Sequence, residues 1–408
     1  MKPAPITANE RIVSLDIIRG FALLGIFLVN MPSFFAPALK YDFYGLTPEY
    51  TGVDQWVRLI FDLFVQAKFY PMFSFLFGLG FYIFLTRAEK NLEEPTWLFV
   101  RRLFILLLFG LLHLILFWYG DILHTYAVTG FFLLFFFNRK PITILIWAIG
   151  LISFYYALLA SNLLAPESLL ERAQAWNQSV GSEKVAEAVQ IYDQGSLIQL
   201  LTYRFMNEVL PILENLPYQI PHILGLFLFG LYIGKKEIIS NPSLHKRFIK
   251  LTWIISGLIA IPFTVWLTAI QLNLMDYGAY QDIMSLFVLT VGGPFLTAFY
   301  IFSFVRLLQK DRWQRFLKPI GITGRMALTN YLAQTIITLV ILLGFDLYNN
   351  IGLTIGLLLT IGIFILQVVF SVYWLNRFRF GPLEWVWRSL TYGHRQLIRL
   401  EKQERDTD

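Results

Sequence analysis

Long stretches without charged side chains recur along almost the whole sequence. Each stretch holds between 17 and 30 residues, and a helix needs about 20 residues to cross the hydrocarbon core of a bilayer. Because the backbone has to satisfy its own hydrogen bonds in lipid, and because the stretches do not alternate as barrel strands do, we expect helices. The pattern predicts ten membrane-spanning helices, within 20–39, 69–86, 103–120, 122–138, 141–166, 215–234, 251–275, 283–305, 326–345 and 347–376.

Two more polar segments frame the second half of the chain. Residues 162–214 are rich in Glu, Gln and Asn, which favours short helices that cap the outer face. Residues 378–400 mix tryptophans with arginines, which is typical of an amphipathic helix on the inner leaflet. We predict a single polytopic domain over 1–408, composed of an N-terminal half (12–161), an outer segment (162–214), a C-terminal half (215–376) and a cytoplasmic tail (377–408).

The positions of the basic residues predict the orientation. With the N-terminus in the cytoplasm, 27 of the 33 Lys and Arg residues fall in inner segments and 6 in outer segments. This asymmetry follows the positive-inside rule for a chain with both termini inside and an even number of spans. It also accounts for the net charge of +6, so nucleic acid is not an expected partner.

Composition excludes several classes of protein. Hydrophobic residues make up 57% of the chain and charged residues only 15%, against about 25% charged residues in soluble domains, so a water-soluble enzyme is excluded. With no Cys and 5 His residues, we expect no disulfide, no metal site and no permanently bound cofactor. Ala36-Pro37-Ala38 resembles a signal-peptide cleavage site, but the preceding apolar run is too long and Asp16 lies in its basic region, so we expect a retained first helix.

Polar side chains inside a bilayer are costly, which makes them candidates for function. Asp16 and Arg19 in the first helix are spaced to form an ion pair. Asn30 follows Arg19 by eleven residues, which places it on the same helix face, about 16 Å deeper. The alternative is a charged anchor with one helix-packing Asn.

The third predicted helix carries a second set of polar residues. Arg101 and Arg102 lie at its inner end, His113 lies near the membrane centre on the Arg102 face, and Asp121 closes the helix at the outer surface. Paired guanidinium groups suit the phosphates of a CoA, and a neutral imidazole suits a general base. The alternatives are topological anchoring for the arginines and an interhelical hydrogen bond for His113.

Further candidates lie at the second and ninth spans. Lys68 precedes the second span, where it either contacts substrate or reaches the outer headgroups. Arg325 begins the ninth span at its inner end. Tyr331, Asn330 and Gln334 follow, and the last two share a face, so they either contact substrate or join helices.

These residues lie in motifs by which the chain resembles the YeiB-like family of polytopic bacterial membrane proteins. The motifs occur along nearly the whole chain except for 160–320. They are Ser14-Leu15-Asp16-Ile17-Ile18-Arg19-Gly20 with Val29-Asn30, Lys68-Phe69 with Phe73-Ser74-Phe75-Leu76-Phe77-Gly78, Arg101-Arg102, His113, Gly120-Asp121-Ile122-Leu123 with Tyr126-Ala127, Gly324-Arg325-Met326-Ala327-Leu328-Thr329-Asn330-Tyr331, and Gly381-Pro382-Leu383-Glu384-Trp385 with Trp387-Arg388.

The family is similar to integral-membrane acyltransferases such as the lysosomal heparan-α-glucosaminide acetyltransferase. Those enzymes use cytoplasmic acetyl-CoA to modify a sugar on the far side of the membrane. The similarity is mainly in the first helix, at Leu15-Asp16, Arg19-Gly20 and Val29-Asn30. The acetyltransferase carries its catalytic His soon after the corresponding Asn, whereas here the first His is His113. Either His113 has taken that role, or the chemistry differs, or no acyl group is transferred.

We expect acyl transfer from a cytoplasmic acyl-CoA to a glycan, a lipid headgroup or a small molecule outside the plasma membrane. The expected donor-binding residues are Arg19, Arg101, Arg102 and Arg325. His113 is the expected general base, assisted by Asn30 and Asp121, and Lys68, Asn330, Tyr331 and Gln334 are the expected substrate contacts. The rival functions are a secondary transporter in which His113, Lys68 and Asp121 carry protons, and a scaffold without chemistry. Duplicated halves and paired broken helices, both common in transporters, are not apparent in the sequence. A homodimer is left open.

Reporter fusions test the predicted orientation. Fusions after Lys140, Lys250 and Lys318 should report a cytoplasmic position, and fusions at Gly181 and Asp276 an external one, because the charge bias orients every loop relative to the others. A cytoplasmic signal from the Gly181 fusion would contradict the ten-span topology.

Overall fold

The protein is built almost entirely from helices. A computed structural model describes residues 12–46, 48, 50–90 and 93–400. In these ranges, β structure is limited to an isolated bridge between Phe378 and Arg399, and nine helical segments are long and apolar enough to cross a membrane. The predicted class, an all-α multi-pass membrane protein, is confirmed. Lys2 and Arg11, which contributed to the charge asymmetry, lie outside the described residues.

The long apolar helices follow nine of the ten predicted stretches. They are α1 (Val13–Phe35), α4 (Phe69–Glu89), α5 (Pro95–Leu116), α7 (Pro141–Ser161), α10 (Leu210–Lys235), α11 (Lys246–Gln271), α12 (Gln281–Leu307), α15 (Ala327–Gly344) and α16 (Leu353–Leu375).

The remaining predicted span is a shorter helix. In the stretch 122–138, α6 (Leu123–Leu133) continues only into a 3₁₀ turn at Leu134–Phe136, a total rise of about 20 Å. Its C-terminal end adjoins the basic pair Arg139-Lys140 on the inner side. With that end at the inner surface, the first turn of α6 lies within the hydrocarbon core, and α5 and α6 are joined there.

Shorter helices cover the two ends of the membrane helices. By the orientation above, the inner ones are α13 (Asp311–Phe316), α14 (Lys318–Arg325) and α17 (Pro382–Tyr392). The outer ones are α2 (Ala38–Tyr44), α3 (Val53–Phe64), α8 (Glu167–Gln194) and α9 (Leu197–Arg204), with a π-helical turn (Phe205–Val209) that leads from α9 into α10. The outer polar segment therefore holds one helix of 28 residues and one of 8, where we expected short helices only.

Two carboxylates tie the short helices to the long ones. Asp54 in α3 accepts hydrogen bonds from the Leu353 and Thr354 backbone N–H groups, at 3.0 and 2.9 Å. Glu384 in α17 accepts from Leu328 N at 2.7 Å and Thr329 N at 3.0 Å. Each satisfies N–H groups that the first turn of a helix leaves unpaired, and each places negative charge at the positive end of the helix dipole. Burial raises the pKa of the Glu384 carboxyl.

The tail folds back onto the inner end of α5. Its helix, α17, has 11 residues, which is shorter than the 378–400 expected. The Trp387 indole donates to the Arg102 carbonyl at 3.0 Å, and its ring lies 3.8 Å from the Arg102 guanidinium. Cation–π packing therefore attaches the tail helix to α5 in addition to any contact with lipid. Residues 401–408 lie outside the described residues.

Gly110 allows α6 to begin directly against α5. A Cβ atom at Gly110 would lie 2.2 Å from the His124 backbone nitrogen. A side chain at this position would therefore push the first turn of α6 away from α5. The close approach positions the connection between the two helices, which is the segment Phe117–Ile122.

We expect Gly110→Ala to destabilise the protein by about 1–3 kcal/mol, because overpacking against main-chain atoms forces a backbone shift. Gly150→Ala in α7 is the matched control, since nothing lies within 4 Å of its added Cβ. The control should be neutral or more stable by up to about 1 kcal/mol, owing to the helix propensity of Ala. Thermal unfolding in detergent measures both variants. Equal melting temperatures would contradict the assigned packing.

Candidate functional site

The connection between α5 and α6 brings two imidazoles onto one carboxylate. His113 Nδ1 lies 2.8 Å from Asp121 Oδ1, and His124 Nδ1 lies 2.8 Å from Asp121 Oδ2. The His124 backbone N–H also donates to Asp121 Oδ2 at 2.8 Å. All three side chains are buried, at 5% exposure or less. We call His113, Asp121 and His124 the histidine–aspartate cluster.

The hydrogen bonds define which ring nitrogens are available. An ionised carboxylate only accepts hydrogen bonds, so both imidazoles donate through Nδ1 and keep a lone pair on Nε2. The lone pair of His124 faces the Thr125 hydroxyl at 3.1 Å. His113 Nε2 is buried without a hydrogen-bond partner. A base held in one tautomer by a carboxylate, with its second nitrogen available, is the arrangement found in hydrolytic triads.

Tyr331 braces the connection from α15. Its hydroxyl lies 3.3 Å from the Ile122 nitrogen and 3.4 Å from the Gly120 carbonyl oxygen. Its ring packs edge-on against the His113 imidazole, with centroids 5.4 Å apart. Of the four expected substrate contacts, Tyr331 is the one that reaches His113.

Asp121 is not where we expected it. The helix predicted to run to the outer surface ends at Leu116, so Asp121 follows a non-helical turn and is 5% exposed. Arg102 lies about 16 Å from His113 along α5. The first turn of α6 lies about 20 Å from the inner end of α6, which is similar to the distance of His113 from Arg102 along α5. Measured from the inner basic residues, these rises are shorter than a hydrocarbon core of about 30 Å, so we expect the cluster to lie within the bilayer.

Asn30 faces the same region without joining the cluster. It lies three residues after Phe27 and four before Phe34, so all three share one face of α1. Phe34 packs on Trp118 in the α5–α6 connection, with ring centroids 4.3 Å apart. The hydrogen bonds that form the cluster do not include Asn30.

Asn330 and Gln334 join helices. The Asn330 amide donates to Ser371 Oγ at 3.0 Å, and the Gln334 amide donates to Gln367 Oε1 at 3.1 Å. Gln367 in turn donates to the Asn330 carbonyl at 2.9 Å. This network connects α15 to α16 and favours the packing interpretation of both residues.

Lys68 lies in the break between α3 and α4. It is 3% exposed, and its ammonium donates to the Asp62 carbonyl oxygen at 2.6 Å. We had considered the outer headgroups as its partners, but its side chain is buried within the protein. Ala67 next to it has φ of 61°, a left-handed conformation that is strained for any residue with a side chain.

The inner arginines surround the end of α5. Arg19 donates to Asp16 at 2.8 Å. The Arg102 guanidinium contacts the rings of Phe84 and Trp387, whose centroids lie 5.0 and 3.8 Å from its central carbon. Arg388 directly follows Trp387 on α17, and basic side chains gathered at one helix end favour an anion.

The other two predicted donor contacts flank this group. Gly324 packs on the main chain of Asp16, which brings its neighbour Arg325 to the inner end of α1. Arg101 lies at the surface in a cleft of about 310 Å³, with Glu93, Glu94 and Tyr392 among the lining residues. The two acidic residues make this cleft less suited to phosphate than the Arg102 surroundings are.

Sequence reasoning missed two further buried groups. His124 follows Asp121 by three residues, a spacing that permits a contact at the start of a helix. Arg204 and Glu208 are four residues apart in the outer segment and pair at 3.3 Å, both almost completely buried. The i, i+4 spacing was a usable signal for that pair, but its burial depends on tertiary packing.

In the part of the chain that the structure describes, no group of three or more His, Asp or Glu residues is arranged to hold a metal ion. In the histidine–aspartate cluster, His113 Nδ1 and His124 Nδ1 donate hydrogen bonds to Asp121, so neither of these nitrogens offers a lone pair to a metal ion.

We expect Asp121→Asn to lower stability by about 1–3 kcal/mol, because an amide cannot accept hydrogen bonds from both imidazoles and leaves a buried donor unpaired. Glu171→Gln, at an exposed position in α8, is the charge-matched control and should change stability by less than about 0.5 kcal/mol. Thermal unfolding in detergent measures both. Similar melting temperatures for the two variants would show that the cluster is not formed as described.

Comparison with known proteins places the chain in a family. A family described as "Protein of unknown function (DUF418)" matches residues 233–394. The chain is 35% identical to the uncharacterized protein YxaH of Bacillus subtilis, over 95% of this chain and 96% of YxaH. It is 28% identical to the uncharacterized protein YeiB of Escherichia coli, over 94% of this chain and 96% of YeiB. No solved structure matches significantly. The chain therefore belongs to the YeiB-like family of multi-pass membrane proteins.

Proposed function

We propose that the protein is a membrane-embedded acyltransferase, which moves an acyl group from a cytoplasmic acyl-CoA to an acceptor at the outer face. The observation that carries this proposal is His113 Nε2, a buried ring nitrogen without a hydrogen-bond partner. The other nitrogen of the same ring, Nδ1, lies 2.8 Å from Asp121 Oδ1. Other buried atoms, His222 Nε2 among them, also have no partner. His113 differs from His222 because its second nitrogen bonds a buried carboxylate, which is the arrangement of a general base.

The chemistry assigned to His113 is general-base catalysis. Nε2 takes the proton from an acceptor hydroxyl or amine, whose oxygen or nitrogen then forms a bond to the acyl carbon. The carbon–sulfur bond breaks, and the imidazolium returns its proton to the CoA thiolate. Asp121 stabilises the transient imidazolium and holds the productive tautomer. Tyr331 and the buried surroundings limit access of water, which would hydrolyse the thioester.

The arginines at the inner end of α5 provide the donor site in this proposal. Arg102 packs on the rings of Phe84 and Trp387, and a bound phosphate would give its guanidinium a charge-assisted partner. The thioester must then reach from Arg102 towards His113, about 16 Å along α5. A cytoplasmic donor and an external acceptor meet only at the membrane that bounds the cytoplasm, so we place the protein in the plasma membrane. The acceptor remains a glycan, a lipid headgroup or a small molecule.

One observation favours transport as the second candidate function. Lys68 and Asp62 are both 3% exposed, and Asp62 Oδ1 has no hydrogen-bond partner. They lie where a helical segment is interrupted, beside the strained Ala67. Discontinuous helices with buried charged groups are frequent at transporter ion sites. Proton uptake on substrate addition in sealed vesicles, lost in Lys68→Met, would favour this function over acyl transfer.

Two variants separate the proposed roles along α5. With acetyl-CoA as the probe, His113→Ala should lower acyl transfer by 10²-fold or more, on the order of a general base's contribution, while donor affinity stays nearly unchanged. Arg102→Ala should instead weaken donor affinity by roughly tenfold, because it removes a charge-assisted contact to phosphate. Donor affinity and release of free thiol from the purified protein measure both effects.

His245→Ala is the control, because His245 lies far along the chain from the cluster, before α11. It should change neither quantity. Loss of donor affinity in His113→Ala together with normal affinity in Arg102→Ala would contradict the assigned roles.

A further inference from the structure

The outer end of α5 is covered by a cap, which we define as α8, α9 and the π-helical turn Phe205–Val209. One contact between the cap and α5 is made by a buried charged side chain. Arg204 is 3% exposed and donates from Nη2 to the Leu114 carbonyl oxygen at 3.1 Å. Leu114 lies in the last turn of α5, where carbonyls have no partner within the helix. It also directly follows His113. The cap is therefore attached next to the histidine–aspartate cluster.

Arg204 is held in position from within the cap. Its Nε donates to Glu208 at 3.3 Å, and the Tyr192 hydroxyl donates to the Glu208 carboxylate, 2.8 and 3.0 Å from its two oxygens. Tyr192 belongs to α8, so all three side chains belong to the cap. If the cap lifts from α5 as a unit, these contacts remain and the buried charges stay paired. The contact to α5 that breaks is the one between Arg204 and Leu114. The cap also packs outside α5, where Tyr192 stacks on Tyr348 with ring centroids 4.7 Å apart and Gln174 donates to the Ala279 carbonyl at 3.0 Å, so opening must separate these contacts as well.

The chain offers a hinge for such a movement. The hinge is the junction of the π-helical turn Phe205–Val209 with the membrane helix α10, at Val209 and Leu210, so Arg204 and Glu208 both lie on the moving side. π-helical turns interrupt regular helix hydrogen bonding and occur often at functional sites. A second contact on the outer side is also polar, since Lys40 Nζ donates to Asn207 Oδ1 at 3.3 Å. Polar contacts of this kind can exchange with water when the cap moves.

We propose that the cap is a gate over the outer approach to His113, and that Arg204 is its latch. The inference rests on the proposed function, because an external acceptor must reach His113 Nε2, and His113 is 1% exposed in this closed form. Closure keeps water from a thioester positioned at His113, and opening admits the acceptor. Arg204 is a positioning residue and takes no part in the chemistry.

The absence of Cys from the sequence makes the gate measurable. A single Cys at Thr335 serves as the reporter, since Thr335 is 1% exposed and lies one turn beyond Tyr331 towards the outer side of α15. A Cys at Ser179, exposed on α8, measures full access. A Cys at Thr360, buried in α16, reports general unfolding. Each is labelled with a membrane-impermeant maleimide applied from the outside.

Arg204→Lys tests the latch. A lysine keeps the charge beside Glu208, but its single ammonium replaces the forked donor that contacts Glu208 and Leu114 together. Labelling of the Thr335 reporter should become about tenfold faster, equivalent to about 1.4 kcal/mol lost from the closed form. Arg172→Lys, at an exposed position on the same cap, is the matched control and should leave labelling unchanged.

The two buried reporters distinguish gate opening from general unfolding. Faster labelling at Thr335 with unchanged labelling at Thr360 supports the gate. Equal rates at Thr335 in Arg204→Lys and Arg172→Lys, or faster labelling at Thr335 and Thr360 together, overturn it. Glu208→Gln is the second variant if Arg204→Lys does not fold, and the same increase at Thr335 is expected. Labelling requires neither donor nor acceptor, so failure of acyl transfer and failure of the gate are distinguishable.

Discussion

The carboxylate of Asp121, shared between two imidazoles where α5 and α6 meet, is the interaction on which the rest of the site depends. We expect α6 to begin within the bilayer, where the first N–H groups of a helix need acceptors from the protein. Asp121 accepts from the first turn of α6 and from both histidines, at 2.8 Å in each case. One side chain thereby stabilises a helix end in an apolar environment and leaves His113 Nε2 available. The approach of the two helices in turn requires Gly110.

α5 connects the features to which we assign function. At its inner end, Arg102 is packed on Trp387 of the tail helix. Near its outer end, the Leu114 carbonyl accepts a hydrogen bond from Arg204 of the cap. His113 lies between these contacts. A donor bound at one end and a cap at the other would therefore act on the same helix, which gives a physical route by which the two sides of the membrane affect one base.

The bilayer makes part of this structure predictable from the sequence. Charge-free stretches and the Lys and Arg asymmetry indicate the class and the approximate bounds of the helices because lipid excludes other structures. The end of α5 was not predictable in the same way. The apolar run continues through Phe117, Trp118 and Tyr119 without a helix-ending residue, so the sequence predicted a helix that runs to Asp121, whereas α5 ends at Leu116 and Asp121 follows a turn. The spacing of Asn330 and Gln334 predicted that they share a helix face. Their partners on α16 could not be predicted, because they depend on tertiary packing.

An experimental structure with a non-hydrolysable thioether analogue of acetyl-CoA tests the central claim most directly. We predict that the phosphates bind beside Arg19 and Arg102, and that the carbonyl carbon of the analogue lies within reach of an acceptor bound at His113 Nε2, with reacting atoms about 3–3.5 Å apart. Phosphates bound elsewhere, or an acyl group remote from His113 with the phosphates in place, would contradict the acyltransferase proposal.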